Sequence, residues 1–390
     1  MNIKTRFAPS PSGSLHLGNL RAALIPFLFA RKNKGVFFLR IDNTNKLLFK
    51  KKNVKKIIND LNDFKLKSNY KIFQSKRIRI YIKYSLLLLR KKKAYLKDNA
   101  IYYKVDRKGK VIFKDYIRKN IKIKRKEIND FVLVRSNGFS TFNFACAIDD
   151  FLEGVNFVFR GEEHISNTVK QIIILRNFGV NNINYSHISN ITDRDGKKIS
   201  KRSKFFSIRS ILNKGILRTA LINYICNLGF SNEDKILTSL KKIIKNFDIK
   251  YINLSQTKYD FDKILWYNKE HICKIENFRI INFLKKKVHN SLFFKKSIPF
   301  LKKRASVLED FYNLYDRYLL NLFKNKKVID REIYIFFRRI RLLKLDKKGI
   351  ISYLKEKNIY HKLNFFFFNK KKNVPSVIDI ICILKKKIFF

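Results

Sequence analysis

Cysteine is scarce in this sequence, and the four that occur, Cys146, Cys226, Cys273 and Cys382, are far apart, with no Cys-x-x-Cys pair and no clustered histidines. That spacing argues against a disulfide framework and against a zinc knuckle, and it fits a reducing, cytoplasmic location. Long apolar runs are missing too: none approaches the ~20 residues of a membrane span. The most apolar late segment, Val377 to Leu384, is broken by Asp379 and reads as core. Met1-Asn2-Ile3-Lys4 runs straight into a polar motif, so no cleavable leader is expected. Acidic residues are also few: 30 Asp and Glu stand against 87 Lys and Arg, a formal net charge of +57. A polyanionic partner is the functional reading of that excess. The chain is, however, crowded with Lys, Asn, Ile and Phe and holds five Pro, one Trp and one Met, a pattern expected where coding drifts towards A and T. Drift takes the larger share of the lysine count, and the charge alone identifies no particular nucleic acid.

What is present is enough for several cores. At 390 residues with 46% hydrophobic content, the chain can form two to four domains. Residues Ile3 to Ala8 read as a strand, and the Pro/Ser/Gly stretch from Pro9 to Ser14 as a turn. A helix is expected to open near His16, with Leu20, Ala23, Leu24, Phe27 and Leu28 at helical spacing and Gly35 just past its end. Val36 to Ile41 is a nearly continuous apolar run of the kind buried in a parallel sheet. This strand-helix-strand unit places Arg6, His16 and Asp42 near strand ends and a helix start, where open α/β sheets bind ligands. From about Lys46 to Lys93 the periodicity is helical, and between Ala94 and Asp130 short strands suggest an insertion. The main sheet is expected to resume around Phe142, running through Asp149-Asp150 to a strand ending at Arg160, followed by a helix carrying Val169, Ile172, Ile173 and Leu175. Leu217 to Leu228 reads as a helix ended by Gly229, and the chain beyond Glu276 as mostly helical.

Two motifs carry chemistry. In Arg6-Phe7-Ala8-Pro9-Ser10-Pro11-Ser12-Gly13-Ser14-Leu15-His16-Leu17-Gly18-Asn19 an imidazole and a helix N-terminus are set to face phosphates, and Gly18 lets a nucleotide approach the backbone. In Lys197-Lys198-Ile199-Ser200-Lys201-Arg202, a polar loop after Asp193-Arg194-Asp195-Gly196 supplies lysines able to reach a triphosphate. Two lysines alone would be chance in so Lys-rich a chain, and His-x-Gly-Asn alone would be an ordinary surface histidine. The pairing of the two strings is what argues for function.

Together these strings resemble the two signatures of a class I aminoacyl-tRNA synthetase, and Arg-Phe-Ala-Pro-Ser-Pro-x-Gly-x-Leu-His closely resembles the glutamyl-tRNA synthetase family. The likeness continues through Leu39 to Asn45, Asp130 to Gly138, Thr141 to Ala145, Asp149-Asp150, Arg160 to Thr168, Asn223 to Phe230 and the Trp266 segment, in family order over roughly the first 270 residues. It implies an α/β Rossmann catalytic domain in two halves (1–70 and 141–195), an inserted acceptor-end-binding subdomain (71–140), a signature-loop and tRNA stem-contact segment (196–275) and a shortened helical anticodon-binding domain (276–390). By the family pattern Arg6, Ala8, Ser10, Asp42, Phe142 and Arg160 line a glutamate pocket, and His16, Gly18, Asn19, Lys198 and Lys201 act on ATP, which brings Mg2+. The γ-carboxylate of glutamate suits a guanidinium, with Arg6 and Arg160 as the candidates, and the substrate ammonium suits Asp42. Adenylate formation gathers negative charge on phosphate oxygens, so positioned cations and donors suffice for it.

The implied partners are tRNA(Glu), with tRNA(Gln) left open, glutamate and ATP; no membrane association and a monomeric chain are expected. Asp42 stands where the family has glutamate, Phe142 where it has tyrosine, and Asn43 and Asn45 where it has aspartates; the region after Ala94-Tyr95 lacks the zinc-binding cysteines of some members, so no zinc site is expected. Two other readings compete. A relative that glutamylates a modified tRNA base would lack the more than one hundred residues after Trp266. A decayed RNA-binding protein would have no reason to keep Arg6, His16, Arg160 and Lys201.

Overall fold

The computed structural model describes residues 2–11, 13, 15–44, 50–193, 195–196, 206–230, 236–284, 298–299 and 301–315. The chain divides into two compact units, one of residues 1–211 and 222–260, the other of residues 212–221 and 261–390.

The first unit begins with β1 (Lys4–Phe7), α1 (Leu17–Lys32) and β2 (Val36–Ile41), the unit expected from the apolar pattern. The two strands are parallel, with Arg6 opposite Phe38 and Phe7 opposite Leu39. Every residue of β2 after Val36 is buried, as befits a strand covered on both faces. Helix α1 ends through Lys34 in the left-handed region (φ 53°). Gly35 is required for a different reason: a Cβ there would lie 2.3 Å from the Ile3 carbonyl oxygen.

The next stretch holds α2 (Lys51–Asp63), β3 (Lys71–Phe73) and α3 (Ile78–Arg90), so the segment expected to be helical from Lys46 to Lys93 contains a strand. β3 runs parallel to β2, giving a sheet in the order β1-β2-β3. It belongs with the strands of the first half although the insertion was expected to begin at residue 71. β4 (Ala94–Lys97), β5 (Ala100–Tyr103) and β8 (Phe131–Val134) form a small antiparallel sheet, and β6 (Lys110–Asp115) pairs with β7 (Lys119–Lys124) as a hairpin. In β6, Val111, Phe113 and Asp115 are buried while Lys110, Ile112 and Lys114 are exposed, the period of two of a strand with one covered face.

Phe142–Leu152 is helix α4, not the strand expected around Phe142. Residues 144 to 150 are all buried, and an apolar run of that kind fits a covered helix as well as a covered strand. The strand comes later, as β9 (Phe157–Gly161), followed by a 3-10 turn (Glu162–His164), α5 (Ile165–Arg176) and β10 (Asn184–Ile188) parallel to β9. The hairpin joins this second sheet, in the order β7-β6-β10-β9. β9 lies along β1: Lys4 N–H donates to Asn156 Oδ1 at 2.8 Å, and Asn156 N–H to the Lys4 carbonyl at 3.3 Å. The succession β3-β2-β1-β9-β10 is the strand order of a Rossmann sheet, with the reversal of strand order, where such sheets bind ligands, between β1 and β9. One core, including Phe38, Leu88, Leu133, Phe144, Ile148 and Ile174, packs helices α3, α4 and α5 against it. The unit closes with β11 (Ile191–Thr192), which pairs with β12 (Thr257–Lys258).

Helices α6 (Ile208–Asn213), α7 (Arg218–Asn227) and α8 (Leu240–Asn246) follow β11 in sequence. Gly229, with φ 77°, ends the run after α7 as expected. In the second unit, α9 (Phe261–Lys274), α10 (Asn277–Leu284) and α11 (Leu308–Tyr315) share a core of Leu217, Ala220, Ile272, Ile280, Leu301 and Phe311. Buried Asn268 bridges its turns, accepting from Leu217 N–H (2.8 Å) and donating to the Ser306 carbonyl (2.7 Å). Most of the expected anticodon-binding segment, 276–390, lies outside the described residues. Among the described residues no helix is long and apolar enough to cross a membrane.

Candidate active site

A cavity of about 550 Å³ opens at the carboxyl ends of β1, β2 and β9. Its lining includes every described residue that the sequence nominated: Arg6, Ala8, Ser10, His16, Gly18, Asn19, Asp42, Phe142 and Arg160. Lys198 and Lys201 lie outside the described residues. Those on either side of them adjoin the cavity, since Asn190 and Ile191 line it and Ser207 forms a β-bridge with His16.

His16 is the N-cap of α1. Its Nδ1 accepts from Gly18 N–H (3.1 Å) and Asn19 N–H (3.4 Å), while Asn19 Oδ1 accepts from His16 N–H (3.3 Å). This reciprocal capping box satisfies first-turn N–H groups and contributes about 1 kcal/mol. It also fixes the ring chemistry, because Nδ1 can accept only if the proton resides on Nε2, making the imidazole a donor from its far side. Gly18 is confined by the same ring: a Cβ would sit 3.0 Å from His16 Cε1.

Beneath the cavity lies a buried charge cluster. Arg40, fully buried near the end of β2, donates from Nε to Asp42 Oδ1 (2.8 Å) and from Nη1 to Asp150 Oδ1 (2.6 Å), and lies 3.8 Å from Asp149. Burial works against its charge, but Asp42 and the other anions outweigh burial and hold its pKa well above the usual guanidinium value. Arg6 turns its Nε–Nη2 edge onto the two oxygens of Asp150 at 3.0 and 3.2 Å. Burial would raise the Asp150 pKa, yet Arg6 and Arg40 together bring it below the usual carboxylate range. Burial, reinforced by Asp42, pushes the Cys146 thiol well up, so it stays protonated and donates to Asp42 Oδ2 at 3.3 Å.

Arg160 differs from these two arginines. It is the penultimate residue of β9, is 8% exposed, and donates from Nη1 to Thr168 Oγ1 (3.0 Å) and Gln171 Oε1 (2.9 Å), both neutral. Its Nε is buried with no hydrogen-bond partner among the described residues. Glu162, two residues further along the chain, is bonded to Arg118. Burial, with Arg6 nearby, lowers the Arg160 pKa, the mark of a cation short of counter-charge.

The catalytic-domain model of class I tRNA synthetases (E and Q) matches residues 2–101 and 97–266. The glutamate–tRNA ligase of Buchnera aphidicola subsp. Cinara cedri is 34% identical over 100% of this chain and 96% of its own length. That of Wigglesworthia glossinidia brevipalpis is 31% identical over 98% and 94%. The chain belongs to the glutamate–tRNA ligase family. A crystal structure of a glutamate tRNA ligase from Elizabethkingia meningosepticum, in complex with its amino acid, superposes with a TM-score of 0.80 at 22% identity over 99% of this chain and 97% of that one, which shows a shared fold.

Within this ligase fold, sequence reasoning missed Arg40, Asp150 and Cys146. Arg40 carried a signal, a charge inside the otherwise apolar strand Val36 to Ile41, and Asp149-Asp150 stood in the family likeness without a role, while Cys146 gave none before its partners were placed. Arg21, also in the cavity wall, is buried and bonded to the Ser189 and Leu228 carbonyls and to Thr257 Oγ1, and burial lowers its pKa to about 10. Phe142 opens α4 with its ring centroid 5.6 Å from that of His164. Among the described residues no group of three or more His, Cys, Asp or Glu is placed to hold a metal ion.

Proposed function

We propose that the chain activates glutamate with ATP·Mg2+ and transfers it to the 3′-terminal adenosine of tRNA(Glu), as a cytoplasmic monomer. An oxygen of the α-carboxylate forms a bond to the α-phosphorus while the bond from that phosphorus to the bridging oxygen of pyrophosphate breaks. A terminal ribose hydroxyl then attacks the acyl carbon, giving up its proton as AMP leaves. The observation that carries this reading is Arg160: a buried guanidinium in the cavity wall, bonded to Thr168 and Gln171 and, among the described residues, without a carboxylate partner and with an unpartnered Nε. It is the side chain best suited to the γ-carboxylate. Arg6 and Asp42 engage Asp150 and Arg40, so we assign them to shaping the pocket, with the outer face of Asp42 left to the substrate ammonium. His16 Nε2–H supplies a donor for phosphate oxygens at the start of α1, where the helix dipole adds positive potential. Lys198 and Lys201 are assigned to the departing pyrophosphate.

Glutamate-dependent exchange of pyrophosphate into ATP, seen only with tRNA added, tests the reaction; exchange with glutamine in place of glutamate would refute it. Charging purified tRNA(Glu) and tRNA(Gln) in parallel decides whether the second is an acceptor. Arg160→Ala tests the anchor. Removing the partner of a desolvated carboxylate costs roughly 2–5 kcal/mol, a tens- to thousands-fold loss in kcat/KM for glutamate, with only partial recovery in Arg160→Lys. An unchanged glutamate KM with a lowered thermal midpoint would remove Arg160 from the site.

A further inference from the structure

A chain of buried polar side chains runs from the β6–β7 hairpin into the cavity wall. Asp115, at the end of β6 and 1% exposed, takes the His187 ring through Nδ1 at 2.6 Å and the His187 backbone N–H at 2.9 Å. It also accepts the backbone N–H groups of Ile117 (2.9 Å) and Arg118 (2.7 Å). On the far side of the ring, His187 Nε2 lies 2.7 Å from Thr168 Oγ1, and Thr168 Oγ1 accepts Arg160 Nη1 at 3.0 Å. His187 and Thr168 are fully buried.

Only one polarity satisfies this chain. Asp115 accepts three backbone N–H groups and, as a carboxylate, only accepts, so His187 Nδ1 at 2.6 Å carries the ring proton and Nε2 is left as the acceptor. The Thr168 hydroxyl then donates to Nε2 and offers its lone pairs to Arg160. Burial lowers the His187 pKa, with Asp115 opposing and Arg160 and Arg118 adding to the effect, which keeps the ring in the neutral form this polarity needs. A ring bearing its proton on Nε2 would confront the Thr168 oxygen with a second donor and turn its hydroxyl to the other available acceptor, the His164 carbonyl at 3.0 Å.

We propose that Asp115, His187 and Thr168 are positioning residues for Arg160: the carboxylate sets the ring tautomer, the ring orients the hydroxyl, and the hydroxyl holds Nη1 so that the guanidinium presents a fixed edge to the substrate carboxylate. The proposal rests on the reading of Arg160 as the glutamate anchor. Fixing the His187 ring from 72 residues away in sequence couples the hairpin to the pocket without any hairpin residue reaching the substrate.

The test uses the full chain in tRNA-dependent exchange of pyrophosphate, with KM for glutamate, KM for ATP, kcat and thermal midpoint measured for each variant. Thr168→Val keeps the shape and removes the hydroxyl; the glutamate KM is expected to rise about tenfold with the ATP KM unchanged, as for loss of one hydrogen bond to a charged group. Thr168→Ser restores most of it. Asp115→Asn, which frees the ring to exchange tautomers, gives the same glutamate-selective rise and serves alone if Thr168→Val does not fold. Arg160→Ala separates the two ideas. If it raises the glutamate KM while Thr168→Val and Asp115→Asn lower only the midpoint, the positioning role is overturned and the anchor stands. If Arg160→Ala itself leaves the glutamate KM unchanged, the anchor falls, and the relay with it.

Discussion

Arg40 is the keystone of the charge cluster, and Arg40→Met measures its contribution. The side chain is fully buried and faces Asp42, Asp150 and Asp149 at 2.8, 2.6 and 3.8 Å. Asp150 would keep Arg6, and Asp149 would keep Arg77 at 3.1 Å together with Gln74 and Tyr81. Among the described residues, Asp42 would retain only the Cys146 thiol as a side-chain partner. Breaking a buried pair by removing one partner costs about 3–5 kcal/mol, and with two of the three carboxylates still compensated the expected loss is at the lower end, about 3 kcal/mol. For a unit of this size that corresponds to a thermal midpoint lowered by roughly 6–12 °C. Adding Asp42→Asn to the variant removes the stranded charge and should return a large part of the loss. The pH dependence has a definite sign. Burial already raises the Asp149 pKa against the pull of Arg40, so without Arg40 it takes up a proton more readily. Protonation of Asp149 lowers the surplus of negative charge left in the cluster, and the gap between wild type and Arg40→Met should narrow from pH 7 to pH 5. Urea unfolding of both proteins at the two pH values reads this directly. A gap below about 1 kcal/mol, or one independent of pH, would refute the view that paired burial of these charges holds the site together.

Gly18→Ala forces a Cβ to within 3.0 Å of the His16 ring, and displacing that ring should lower the rate of adenylate formation about tenfold or more with glutamate KM unchanged; single-turnover activation checks it. Lys201→Ala should reduce turnover by orders of magnitude while leaving ATP affinity nearly intact, since the ammonium acts on charge that develops as pyrophosphate leaves; a raised ATP KM at unchanged kcat would contradict the assignment. In the second unit burial lowers the His271 pKa to about 4, so its neutral form contributes stability that is complete above pH 6.5 and is lost as pH falls towards 4. The loss is on the order of 3 kcal/mol, and His271→Gln should flatten that part of the stability profile.

The strands that flank the cavity were legible because their sequences leave little choice. Val36 to Ile41 is too apolar for a surface and too short for a helix, and the Pro/Gly turn after Ala8 puts a break before a helix capped by His16. β3 was not legible: Lys71-Ile72-Phe73 has no period of its own and is a strand only because β2 offers an open edge. Phe142 to Leu152 shows the opposite ambiguity, an apolar run whose helical form is decided by the core it fills. Residue types that suit ATP and glutamate could be nominated from the sequence because the two motifs collect them at strand ends. Their division of labour could not. Arg6 and Arg160 are equivalent on paper, and the partner that distinguishes them, Asp150, is 144 residues from Arg6 in the chain.

That division follows from charge accounting in the cavity wall. Four buried arginines, Arg6, Arg21, Arg40 and Arg160, line the cavity, and three aspartates, Asp42, Asp149 and Asp150, are buried at its wall or beneath it. If each arginine were paired, the wall would be neutral and indifferent to a carboxylate. Arg77 reaches in to share Asp149, and Arg6 and Arg40 converge on Asp150, so among the described residues no carboxylate is left for Arg160; Arg21 also lacks one, but it spends its Nη donors on the Ser189 and Leu228 carbonyls and Thr257 Oγ1. A guanidinium whose charge burial disfavours gains more from an incoming carboxylate than one already neutralised, and a neutral amide of the same shape supplies one acceptor and no charge. Selection of an acidic side chain is thus set by the ion pairs that Arg160 does not make, and these are fixed by the arginines and aspartates beneath it.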